Sequence, residues 1–96
     1  MVQVHRNGDS RACGASTVVS GQDFVFVDGE LWSVDGDPNS HGDGSLSPGN
    51  IAAIYINGKR VIGVGDSAAP DALCIPLGGA HCAPNASGGD ANVTAV

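Results

Sequence analysis

"YINGKRVIGVGD", residues 55–66, decides how this chain is read. Two β-prone residues lead into Asn57-Gly58, an extended stretch follows, and the segment stops at Gly65-Asp66. Asn-Gly favours positive φ at both central positions of a type I′ turn, so the stretch predicts strand, tight turn, strand. The run before the turn begins at Ala53 ("AIYING", 53–58). "FVFVDGELWSVDGD", residues 24–37, has the same layout, with Asp28-Gly29 at the turn and Gly36-Asp37 at the end. "VHRNGD", residues 4–9, is the second half of another copy, and "NVTAV", residues 92–96, is a first half cut short. Asp9, Asp37 and Asp66 lie 28 and 29 residues apart, while Gly89-Asp90 is out of frame. The chain therefore reads as three units of strand, turn, strand, Gly-Asp, irregular loop and Gly, one of them divided between the chain ends.

The loops carry a second level of repetition. Asp9 to Ser20 and Asp37 to Pro48 both span eleven positions, whereas Asp66 to Ser87 spans twenty-one, a ten-residue insertion. Cys13 and His41 each stand four residues after the loop's Asp, just before a Gly, and eight before the landmarks Gly21 and Gly49. Counting back from Gly88 lands on Ala80, beside His81. Cys13, His41 and His81 are thus expected at equivalent places around one axis, where zinc would need a fourth ligand. Cys74 and Cys82 both qualify. Cys82 adjoins His81, and neighbours in extended chain point opposite ways; Cys74 lies in the insertion and could fold back over the site. The competing reading is that these side chains pack or hydrogen-bond without metal.

"GDPNSHGDG", residues 36–44, admits two other readings. Asp35, Asp37 and Asn39 fit the first positions of a calcium loop, but Leu46 stands where the closing bidentate Glu belongs. Ser40, His41 and Asp43 are neighbours in sequence, whereas catalytic triads are assembled from distant segments. The acidic residues here read as turn formers. His5, in the strand before Gly8-Asp9, is out of register with the loop positions and reads as a packed or surface residue.

Composition sets the bounds. Residues 1–96 make one domain with 15 glycines, 5 prolines and only four aromatic residues outside histidine, Phe24, Phe26, Trp32 and Tyr55. Turn formers abound and strong helix formers are scarce, so the expected class is all-β. A net charge of −6 opposes nucleic acid, which needs clustered Lys and Arg, and gives no attraction to anionic membranes. No apolar run approaches membrane-spanning length, and "MVQVHRNGDSR" lacks a signal-peptide core. The odd count of three cysteines is read as thiols of a reducing cytosol.

"YINGKRVIGVGD" and its two degenerate copies resemble the PAAR-repeat proteins, which tip the spikes of contractile phage tails and type VI secretion systems. The frame strand, Asn-Gly, strand, Gly-Asp matches the family's motif; Arg6 matches its Arg, while Val34 and Gly63 replace it. The resemblance covers essentially the whole chain, and in size it is nearest the small spike-tip proteins of contractile phages. It implies a cone of short strands and hairpins with pseudo-three-fold repeats. It also implies a zinc ion near the point and a base that caps the blunt end of a homotrimeric β-helical spike, one copy per trimer. Such a protein is a structural virion component of the tail baseplate, assembled in the host cytoplasm, meeting the target envelope transiently and catalysing nothing. The family site uses three His and one Cys; two His and two Cys are the expectation here. Phe24, Phe26, Trp32, Ile54, Ile56 and Val61 would furnish the core and the base contact. A free-standing zinc-binding β adaptor and a calcium-stabilised β-solenoid remain the alternatives.

Overall fold

Both dipeptides turn as expected. Asp28 and Asn57 have φ of 51° and 56°, and Gly29 and Gly58, which follow them, 86° and 78°. They join β2 (Phe26–Val27) to β3 (Glu30–Leu31) and β4 (Tyr55–Ile56) to β5 (Lys59–Arg60), both antiparallel. β1 (Val2–Gln3) pairs antiparallel with β6 (Thr94–Ala95), which brings the two ends of the chain together. The computed structural model describes residues 2–51, 54–90 and 93–95. Ala53 of the run before Asn57, and Asn92 and Val96 of the last run, lie outside the described residues. Among these residues helix is confined to the insertion, as α1 (Cys74–Leu77) and the 3-10 turn Gly79–Cys82. The fold is a small all-β one.

Backbone bonds link each unit to another and then return. The Ser33 amide donates to the His5 carbonyl (3.0 Å), Ile62 to Ser33 (2.9 Å) and His5 to Ile62 (3.2 Å), which closes a ring of three. Isolated bridges beside it join Val4 to Gly63, Arg6 to Trp32 and Val34 to Val61. Further along, Arg11 bridges Ala86, Thr17 bridges Asn39, and Leu46 bridges Ala68.

The recurrent Gly-Asp has a structural cause. The carboxylates of Asp9, Asp37 and Asp66 accept the amides three residues back, from Arg6 (2.8 Å), Val34 (2.8 Å) and Gly63 (2.9 Å). Their own amides return bonds to the carbonyls of those residues. The second oxygen of Asp37 takes the amides of Ser20 and Gly21, and that of Asp66 takes Asn50. Buried amides must find acceptors, and strands this short leave many unpaired. The aspartates supply them.

Apolar burial is concentrated beside the hairpins. Val34, Ile51, Ile56 and Val61 form one cluster, with Val2, Val25, Trp32, Ile54 and Ala95 packed against it. A second holds only Leu46, Ile62 and Ala86, with Ala68. Alternation sends Val27 and Ile56 inward and Phe26 and Tyr55 outward. Of the apolar residues expected in the core, Ile56 and Val61 are buried, Trp32 and Ile54 partly so, and Phe24 and Phe26 are 59% exposed. Polar side chains are buried as well. Arg11 is buried, its Nε donating to the Thr17 hydroxyl and its terminal nitrogens to the carbonyls of Asp37, Gly44 and Pro84. Burial pulls its pKa down to about 10. The body measures 34 × 23 × 22 Å.

Candidate metal centre

Cys13 and His41 sit on matching turns. The Gly14 amide donates to the Arg11 carbonyl and the Gly42 amide to Asn39 (2.9 and 3.0 Å). Both glycines have positive φ, 88° and 94°, which is why each side chain is followed by Gly. His81 arrives differently. The third loop's counterpart to Cys13, four residues after Asp66, is Pro70; His81 is carried by the 3-10 turn of the insertion. The loop register also departs from the glycine count. The amides of Thr17, Leu46 and Ala86 reach the carbonyls of Asp9, Asp37 and Asp66. That is eight steps in the first loop (9 to 17) and nine in the second (37 to 46), so the second is one residue longer.

Cys13, His41 and His81 nonetheless converge, and the fourth group is Asp71. Asp71 Oδ2 lies 3.2 Å from His41 Nδ1, 3.4 Å from His81 Nδ1 and 3.4 Å from Cys13 Sγ; Cys13 Sγ lies 3.9 Å from His41 Nδ1. All four donor atoms fall within 4.8 Å of one another. Ligands at 2.0–2.3 Å from a tetrahedral centre stand about 3.3–3.8 Å apart, so the contacts to Asp71 already match and the widest pairs would close by up to about 1 Å to seat an ion. A thiolate and a carboxylate with two neutral imidazoles would also cancel the charge of a divalent cation. The cluster could hold a metal ion.

Neither Cys74 nor Cys82 is the fourth group. They are joined to each other in a disulfide, which corrects the reading of three thiols; Cys13 is the free cysteine. Sequence reasoning passed over Asp71 by seeking only Cys and His and by counting back from Gly88. Counting forward from Asp66 ends at Pro70, its neighbour.

The surroundings fix Asp71. Its side chain is fully buried. Burial alone would raise its pKa, but donors on Leu73, Asn39, Cys13 and His81 outweigh this and hold the carboxyl well below the ordinary range. Asn39 works on two ligands, its Nδ2 donating to Asp71 Oδ2 (3.1 Å) and its Oδ1 accepting the His41 amide (3.0 Å). Gly44, at φ 73°, leaves room for this, since a Cβ there would come within 2.7 Å of Asn39 Nδ2. Burial pushes the Cys13 thiol up, and the Asp71 carboxylate adds to the rise. A bound cation reverses that effect by deprotonating the thiol it coordinates.

His5 lies outside this cluster. It is buried, with Nδ1 2.6 Å from the Gly88 carbonyl and Nε2 2.6 Å from the Thr17 hydroxyl. The Gly88 carbonyl can only accept, so the neutral ring donates from Nδ1 and its Nε2 accepts from the Thr17 hydroxyl, whose oxygen in turn accepts from Arg11 Nε. Asp43, two residues from His41, is exposed, but it is more than a turn residue: its backbone forms a bridge with Asp71. No protein-family model matches the chain, and no curated protein matches it.

Proposed function

We propose that the chain is a structural tip: a single copy with three related lobes that caps a homotrimeric β-helical spike of a contractile injection machine and braces its own point with zinc. The observation that carries this reading is the cyclic linkage of His5, Ser33 and Ile62, with the Val4–Gly63, Arg6–Trp32 and Val34–Val61 bridges around it. Links that pass from unit to unit and return to the first are what approximate three-fold symmetry within one chain requires. A trimeric β-helix ends in unpaired strand edges. Three lobes cover three edges with one copy, matching the symmetry axis. Phe24, Phe26 and Tyr55, each 59% exposed on or beside the hairpins, would contribute to the contact at the base.

Zinc suits the site because one thiolate, two imidazoles and one carboxylate form a closed four-ligand set without an open position, the pattern of structural rather than catalytic zinc. The role is mechanical, and the assembled protein belongs to the tail baseplate tip. The donor set argues against calcium, which takes six to eight oxygens. Mixing the purified chain with a trimeric β-helical spike and weighing the complex by native mass spectrometry tests the reading. One chain per trimer is expected. Three chains per trimer would refute the symmetry argument, and failure to bind such a trimer would leave the adaptor reading in its place.

A further inference from the structure

Two of the four candidate ligands, Asp71 and His81, come from one short segment whose helical residues are all outside the core. Asp71 stands three residues before Cys74, and His81 immediately precedes Cys82. No residue of α1 or of the 3-10 turn between them is buried; Ile75 is 97% exposed and Leu77 66%. Apolar packing therefore does not fix this segment. The Asp71 end is anchored to the second loop, by a backbone bridge to Asp43 and by the Ala72 amide donating to the Gly42 carbonyl (3.0 Å). What ties the His81 end to it is the Cys74–Cys82 disulfide and the bond from the Asp71 amide to the His81 carbonyl (2.8 Å), with the Cys74 amide donating to the Asp71 carbonyl (3.1 Å).

We propose that the Cys74–Cys82 disulfide is a positioning element for the metal centre, holding Asp71 and His81 in ligand register so that metal retention depends on the redox state of the insertion. The proposal rests on the metal-centre reading above and adds its regulation. Groups that orient ligands without touching the metal commonly change its affinity by about 10–100-fold.

The test measures Zn²⁺ affinity of the full chain by competition with a chromogenic chelator. The samples are the oxidised protein, the same protein reduced with a water-soluble phosphine, and the Cys74→Ser/Cys82→Ser variant. Reduction breaks the S–S bond, gives each sulfur a proton from one water, and oxidises the phosphine to its oxide with that water's oxygen. Zinc should bind one ion per chain throughout, about 10–100-fold more weakly in the reduced and doubly substituted proteins. Equal affinity in the oxidised and reduced wild type overturns the proposal. So does tighter binding after reduction, which would mean that the freed thiols join the ligand set. The phosphine arm involves no substitution, so misfolding of the double variant does not decide the result. Cys13→Ala separates the two readings: wild-type affinity in that variant would refute the metal centre itself, whereas lost binding there with redox-independent affinity in the wild type would refute only the role of the disulfide.

Discussion

The hairpin region and the loop region of this molecule are stabilised by different physics. Around the hairpins, Val34, Ile51, Ile56 and Val61 are buried together, and area removed from water supplies the stability. Towards the loops the apolar cluster shrinks to Leu46, Ile62 and Ala86. There a buried Arg11 serving three carbonyls, a disulfide and a cluster of metal-type side chains take over. A chain with so few large apolar residues cannot fill both regions with core, and small domains meet that shortage with disulfides and metals.

The contrast can be broken from either side. Ile51→Ala should have the largest effect, about 2–5 kcal/mol of unfolding free energy, from the cavity left at a fully buried site. The loss should be the same with and without chelator, since Ile51 packs in the hairpin cluster with Val34, Ile56 and Val61; denaturant titration in both conditions reads it. Cys13→Ala should behave in the opposite way. With free Zn²⁺ at 100 times the dissociation constant, ligation contributes about 2.7 kcal/mol. The variant should lose most of that in zinc and little in chelator. Equal losses in both conditions would mean that Cys13 is simply a packing residue.

His5 sits between the two regions. Burial lowers its pKa below the ordinary 6.5, against raising contributions from Gly88, Asp9 and Asp66 and with Arg11 acting alongside burial. The folded state therefore holds His5 neutral where the unfolded chain would bind a proton. Its contribution is fully present above pH 6.5 and declines as pH falls through the folded value. His5→Gln should cost about 1 kcal/mol at pH 7 through a lost buried hydrogen bond. In chelator it should also flatten the decline below pH 6.5. A variant curve parallel to the wild type would rule out His5 as its source. Phe26→Ser should be the mildest for the free chain, within about 0.5 kcal/mol, as at most exposed positions. Under the proposed function the same change should weaken capture by the trimeric spike, so stability and binding would part company at this residue.

What could be read from sequence follows the same division. The turns at Asp28-Gly29 and Asn57-Gly58 were legible because positive φ at two successive residues leaves a local signature. Gly-Asp was legible as a recurrence, although its reason, a carboxylate serving the amide three residues back and, at Asp37 and Asp66, amides of a second segment, needs the fold. Cys13 and His41 shared a local turn and were found by counting. Asp71, the path of His81 and the pairing of Cys74 with Cys82 were not legible, because the insertion breaks the period and its contacts depend on how a ten-residue excursion returns. The outward direction of Phe26 rests on a two-residue strand, too short for alternation to declare itself.

The ring formed by His5, Ser33 and Ile62 bears on how the molecule would respond to load. A strand pair pulled from one end parts bond by bond, each rupture passing the full force to the next. A closed ring offers no first bond. Tension applied across it divides among three links, none of which can yield far while the other two hold. A body closed this way would yield cooperatively, and force spectroscopy would record its failure as a single rupture rather than a staircase.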